Sequence, residues 1–232
     1  MPLLLYDPLY WVFALPPLLL GLYAQWKVRT TFERYLRVPN ARGVTGARAA
    51  QVLLSTSGLS HVDVEGTAGR LSDHYNPRSK VLRLSQSVAT GSSVASVAVV
   101  AHEVGHALQD AGNYGPMKLR TSIVPVANLG TWLGPILFFI GIMAASPQLA
   151  TLGLIGFAGA AVFMLVTLPV ELNASARALG ILESTGLVTP GELPQARQVL
   201  NAAALTYVAA LMQALSTLLY YALLLSGARR RR

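Results

Sequence analysis

Residues 123–170, IVPVANLGTWLGPILFFIGIMAASPQLATLGLIGFAGAAVFMLVTLPV, contain no Asp, Glu, Lys or Arg. About 20 apolar residues in a helix cross a hydrocarbon core about 30 Å thick, and this stretch holds two such runs, residues 123–145 and 149–170. Only the Ser146-Pro147-Gln148 region joins them, so the pair is predicted as a tight transmembrane hairpin. Two further runs flank it. Residues 3–24 carry Asp7 near their start and Pro16-Pro17 in their middle. Without a basic leading segment or a small-x-small cleavage site, that run is read as a retained anchor, kinked at the prolines. Residues 202–225 lead to Gly227 and then Arg229 to Arg232, a strong stop.

Composition agrees. Of 232 residues, 53% are hydrophobic and 12% charged, whereas a soluble domain is about a quarter charged. Disorder and an ordinary cytosolic enzyme are excluded. Eighteen Lys and Arg against ten Asp and Glu give a net charge of +8. In so apolar a chain that excess is read as the loop bias that orients membrane proteins; a lipid bilayer is the expected partner and nucleic acid is not. There is no Cys, which excludes disulfides, thiolate ligands and a cysteine nucleophile, and leaves any metal to His, Asp and Glu.

The chain divides in this reading into an anchor (residues 1–26), an extramembrane part (27–122), the hairpin (123–170), a polar segment (171–201), and a fourth span with a basic tail (202–232). Eighteen of the 28 charged residues lie in the extramembrane part. Thr45 can cap, and Gly58 terminate, a helix between them. Residues 62–65 and 80–85 alternate with period two on either side of a turn-like Asn76-Pro77 pair, which predicts a small sheet. A helical pattern follows over residues 93–111, and a weaker helix is expected over 172–183. Thr189-Pro190-Gly191-Glu192 resembles a capping box that opens the helix into the fourth span. The predicted fold class is mainly α: a four-span helical membrane protein with a small extramembrane α+β part.

Within the 93–111 helix lies His102-Glu103-Val104-Gly105-His106. A spacing of four at 3.6 residues per turn stacks both imidazoles on one face, where they can share one tetrahedral ion. Zinc lowers the pKa of water it activates to about 7, and Glu103, next to the first imidazole, can take that proton and pass it to a leaving amine. The pattern points to metal-assisted hydrolysis with one zinc ion. A catalytic zinc usually has three protein ligands. Gln109 and Gly112 stand where a metzincin needs Gly and His, so that class is excluded. No His follows His106. Among the later carboxylates, Asp110 is expected to orient His106, while Glu171, at the edge of an apolar run where an ionisable group needs a partner, is the expected third ligand; the alternative is a carboxylate that snorkels to the membrane boundary.

These stretches resemble the bacterial membrane neutral zinc metallopeptidases, the YugP-like group, more distantly similar to the heat-shock and CAAX-processing membrane metalloproteases. The resemblance spans nearly the whole chain. It rests on Tyr23-Ala24-Gln25 with Lys27-Val28, Leu71-Ser72-Asp73-His74-Tyr75 with Pro77-Arg78, Val81 to Ser85, Ala101 to Ala107, Leu168-Pro169-Val170-Glu171, and Asn201 to Ala209. In the distant relatives the third ligand is a Glu followed four residues later by Asp; here Glu171 is followed by Ser175. The resemblance implies a zinc-dependent endopeptidase of the bacterial inner membrane acting on protein or peptide substrates.

Three readings compete for Asp73-His74-Tyr75: a transition-state donor (His74 or Tyr75), a substrate-binding edge strand, or a solvated turn. An extended substrate adding to the sheet is expected on the strand at residues 80–85. Arg177 either stabilises an oxyanion or faces anionic lipid. A hairpin returns the chain to its starting side, so the motif and Glu171 share a compartment. That side holds Lys27, Arg29, Arg34, Arg37, Arg42, Lys118, Arg120, Arg177 and Arg197 near span ends, against Arg229 to Arg232 on the other, which favours a cytoplasmic site. The rival reading is a membrane scaffold, chaperone or metal-handling protein that retains a zinc site.

Overall fold

The computed structural model describes residues 7–230. The beginning of the first apolar run, residues 3–6, and the last two arginines, Arg231 and Arg232, lie outside the described residues. In chain order the elements are α1 (Pro8–Leu36), α2 (Gly46–Thr56), β1 (Asp63–Thr67), β2 (His74–Asn76), β3 (Val81–Ser85), α3 (Gln86–Thr90), α4 (Val94–Ala111), α5 (Gly115–Met143), α6 (Pro147–Thr185) and α7 (Leu193–Arg230). The fold is mainly α, with one small mixed sheet. Helices α1, α5, α6 and most of α7 are long and apolar enough to cross a membrane.

Two compact units emerge, and α1, α5, α6 and α7 each have residues in both. The first comprises residues 7–24, 118–169 and 206–230. Its surface is apolar: Trp132 is 69% exposed, Val126 71% and Met143 87%, a pattern that fits lipid and not water. Glycine lets α5 and α6 approach main chain to main chain, since a Cβ on Gly130 would sit 2.2 Å from the Gly156 carbonyl oxygen. Small residues at such crossings are how apolar helices pack when water supplies no driving force. Phe138 stacks on Tyr221 of α7, with centroids 4.5 Å apart.

The second unit comprises residues 25–117 and 170–205. Its core gathers Leu53 of α2, Leu82 and Leu84 of β3, Val97, Val100 and Val104 of α4, and Leu182 of α6, all 0–1% exposed. The Thr45 hydroxyl caps α2 by accepting from Arg48 N–H at 3.3 Å. The Glu192 carboxylate accepts from Thr189 N–H at 2.7 Å, and so closes the expected capping box before α7. Its other oxygen accepts from Ala41 N–H, also at 2.7 Å.

The sheet order is β1-β3-β2, with β1 parallel and β2 antiparallel to β3. Two expectations are corrected here. The strand at residues 80–85 is central, with neighbours on both sides, so its main chain is already paired and no substrate can add to it; the edge strands are β1 and β2. The polar segment after the hairpin is no separate weak helix. Helix α6 continues through Pro169 to Thr185, because proline removes one hydrogen-bond donor and the rest of the ladder carries the helix past it. At 1.5 Å per residue, 39 residues reach about 58 Å. The apolar part alone is long enough to cross a core of about 30 Å.

Candidate metal centre

His102 and His106 sit one turn apart on α4, with ring centroids 4.8 Å apart and planes at 85°. Helix α4 begins at a capped end, where Ser93 Oγ accepts from Ser96 N–H. From Val94 to Ala101 it is wholly apolar apart from Ser96, so the motif is carried into the core. Glu171 of α6, 2% exposed, faces it. The Glu171 Oε2 atom lies 3.2 Å from His102 Nε2 and 3.4 Å from His106 Nε2. Ligand atoms of the three residues all lie within 4.8 Å of one another.

Those separations test whether zinc fits. A tetrahedral ion with arms of about 2.0 to 2.1 Å has ligand-to-ligand edges of about 3.3 to 3.4 Å. The two nitrogen-to-oxygen distances match such edges, and two imidazoles with one carboxylate are a donor set zinc accepts when it keeps an open position. The field agrees in sign. Burial pulls the His106 pKa down, but the hydrogen-bonded Glu171 carboxylate and the nearby Glu103 outweigh it and hold it above its ordinary value. Positive charge is favoured here.

The close approach of the two helices depends on one residue. A Cβ on Gly105 would lie 2.5 Å from the Ala174 carbonyl oxygen, so only glycine lets α4 and α6 meet this closely, with His106 next to the contact and His102 and Glu171 about one turn from it. Hydrogen bonds then orient the imidazoles. His102 Nδ1 lies 3.2 Å from Ser175 Oγ, and His106 Nδ1 lies 3.0 Å from Gln109 Oε1. A nitrogen that binds a metal carries no proton, so with Nε2 turned to the ion each Nδ1 is the donor.

Gln109 was not singled out by the sequence, and Asp110 was assigned its role. That assignment is corrected: Asp110 accepts from the Tyr75 hydroxyl at 2.7 Å and pairs with the Lys80 ammonium, while the fully buried Gln109 reaches His106. Gln109 Nε2 also donates to the Val170 carbonyl at 2.8 Å and to Asn173 Oδ1 at 3.0 Å. It therefore ties the two ligand-bearing helices together. The available signal was spacing, since residue 109 follows His106 by three and so shares its face. Ser175 occupies the position where distant relatives carry Asp, and its hydroxyl reaches His102.

Glu103 is 8% exposed and its Oε2 accepts from Tyr75 N–H at 2.9 Å. Burial raises its pKa, although the two histidines and the Tyr75 amide partly offset the effect. The Asp73-His74-Tyr75 cluster is no solvated turn, because residues 74–76 form the edge strand β2. Asp73 accepts from Ser85 N–H and Oγ–H, which fastens the start of β2 to the end of β3. His74 is exposed, with Nδ1 2.8 Å from the Ser72 carbonyl. The Tyr75 hydroxyl is committed to Asp110, so its main-chain amide, and not its side chain, reaches the motif. Arg177 Nε donates to Asn173 Oδ1 at 2.8 Å, and its guanidinium carbon lies 6.0 Å from the Tyr114 ring centre, which places Arg177 at the end of the Gln109 network.

With this geometry in place, comparison with known proteins is direct. A family model described as "Putative neutral zinc metallopeptidase" matches residues 10–226, and the chain belongs to that family. A protein of Bacillus subtilis (strain 168) named "Putative membrane protease YugP" is 44% identical over 210 residues, which cover 90% of this chain and 93% of that one. No solved structure matches the chain. Membership implies zinc, and His102, His106 and Glu171 form a group able to hold it.

Proposed function

We propose that the chain is a zinc-dependent endopeptidase of the membrane, which hydrolyses peptide bonds in protein or peptide substrates at a site on the cytoplasmic side. The observation that carries the reading is the convergence of two Nε2 atoms on one Glu171 oxygen at 3.2 and 3.4 Å, with the buried Glu103 carboxylate on the same helix.

His102, His106 and Glu171 would hold the ion. Zinc, when bound, supplies Lewis-acid polarisation of water and of the scissile carbonyl. Glu103 does the proton work. Its Oε2 is held by the Tyr75 amide, which leaves Oε1 to accept a proton from the attacking water and deliver it to the amine nitrogen as the C–N bond breaks. Burial raises the affinity of Glu103 for that proton and brings the carboxyl closer to the range where acceptance and release are both easy. Ser175 and Gln109 fix the imidazoles. The cytoplasmic placement follows from the nine basic residues near span ends on the side of the motif.

The test compares wild type with Glu103→Gln, both purified in detergent with zinc quantified, on fluorescein-labelled casein. The amide cannot take the proton although the imidazoles are untouched. Zinc content should stay the same and hydrolysis should fall by about 10² to 10⁴ or more. Equal hydrolysis by both proteins would replace the enzyme reading with the scaffold reading.

A further inference from the structure

Glu103 and Asp110 stand seven residues apart on α4, so they share a face and are separated by about 10.5 Å along its axis. Both bind the same residue of β2: Tyr75 donates its main-chain N–H to Glu103 Oε2 at 2.9 Å and its hydroxyl to Asp110 Oδ2 at 2.7 Å. Tyr75 thus lies along two turns of the helix as a strap. Asp110 also pairs with the Lys80 ammonium, and Lys80 closes the turn from β2 into β3.

The turn is built to hold that arrangement. Asn76 Oδ1 accepts from Arg78 and Ser79 N–H, and Lys80 has φ +54°, a left-handed conformation that a side chain this long adopts only where its surroundings hold it. The Lys80 side chain is 46% exposed, so its ion pair contributes little to stability; its effect is geometric. The Tyr75 side chain, by contrast, is buried, and burial together with Asp110 raises its pKa, so it remains a hydroxyl donor.

We infer that Asp110 is a positioning residue for the reaction: through the Tyr75 hydroxyl and the Lys80 ammonium it fixes strand β2, whose Tyr75 amide aims the general base Glu103. The inference rests on the hydrolase reading above and deepens it. Strand β2 is only three residues long and pairs on one side alone; Asp73 fastens its start to β3, and the clamp holds Tyr75 against α4 to the sub-ångström tolerance that a general base needs. Misplacement of about 1 Å costs about 100-fold in rate.

The test uses full-length, zinc-loaded protein in detergent, with fluorescein-labelled casein as substrate and hydrogen exchange followed by mass spectrometry on segments covering β2 and β3. Tyr75→Phe removes one hydroxyl and keeps the amide; Asp110→Asn weakens both arms. Both variants should keep their zinc and a KM within about twofold of wild type, lose about 10- to 100-fold in kcat, and exchange faster in β2 than wild type. A merely structural role predicts a lower melting temperature with kcat per folded, zinc-bearing molecule unchanged, and that result would overturn the inference, as would unchanged exchange in β2. Tyr75→Phe, which deletes a single oxygen, keeps the test decisive if Asp110→Asn fails to fold. Full activity in Tyr75→Phe with none in Glu103→Gln overturns the clamp alone; full activity in Glu103→Gln overturns the hydrolase reading and the clamp with it.

Discussion

Substituting Gly105 with Ala adds one methyl group where α4 and α6 cross. Its carbon would lie 2.5 Å from the Ala174 carbonyl oxygen and 3.2 Å from the carbonyl carbon. An ordinary contact begins near 3.4 Å, so one main chain must retreat by about 0.9 Å. Alanine is favoured over glycine in a helix by about 1 kcal/mol, whereas overpacking costs about 1 to 3 kcal/mol. The obstacle is backbone, not a flexible side-chain tip, so the upper part of that range applies and the variant should be less stable than wild type by about 1 to 2 kcal/mol. The retreat also separates Glu171 from the imidazoles, against a ligand-distance tolerance of about 0.2 Å, so zinc affinity should fall at least about tenfold. Gly180 of α6 is the matched control, since a Cβ there meets nothing within 4 Å. Gly180→Ala should raise stability by about 0.4 to 1 kcal/mol and leave zinc binding alone. Thermal unfolding in detergent and zinc competition with a chelator measure both effects. A Gly105→Ala protein with wild-type zinc affinity and an unchanged or higher melting temperature would refute the close-approach argument.

Gln109→Leu leaves the His106 Nδ1 proton without its acceptor and removes the link to Val170 and Asn173 on α6; it should cost about 1 to 3 kcal/mol in thermal unfolding and about 10- to 100-fold in zinc affinity by chelator competition. Glu192 has a pKa below the ordinary carboxylate value, because amide donors from Thr189 and Ala41 outweigh its desolvation. The folded state therefore gains stability from its ionisation above the ordinary carboxylate pKa of about 4.3 and loses it as pH falls through the depressed value. Melting temperature against pH should drop more steeply on acidification for wild type than for Glu192→Gln. A reporter fused after Arg232 should be active only outside the cytoplasm, as four spans and a cytoplasmic site require; cytoplasmic activity would contradict that topology.

The four long apolar helices were legible because the length of an uncharged run is a direct consequence of bilayer thickness, whatever the tertiary packing. The α4 motif was legible because two imidazoles four residues apart must share a helix face. Strand β2 was not. Three residues, His74, Tyr75 and Asn76, carry too little alternation to declare a strand, and they become one only by pairing with β3. Sheet order is a long-range property, which is why β3, the most strand-like stretch, reads in sequence as an available edge although it lies at the centre. Asp110 drew the orienting role because a carboxylate is the more conspicuous residue, while Gln109, neutral and fully buried, takes it because it offers an acceptor to His106 and a donor to α6 together. Neither partner on α6 could be known before α6 was placed against α4. After Val170 the sequence changes in polarity and not in structure, and α6 continues through the change.

The three-ligand centre is tested most directly by zinc affinity in Glu171→Ala, measured on folded, detergent-purified protein beside Glu103→Gln. If Glu171 binds the ion with His102 and His106, its loss should lower affinity by at least about 100-fold, more than an orienting residue does, while Glu103→Gln binds zinc like wild type. Undiminished affinity and full occupancy in Glu171→Ala would contradict the account, leave the two histidines without their carboxylate partner as a metal site, and make Glu171 a buried structural residue.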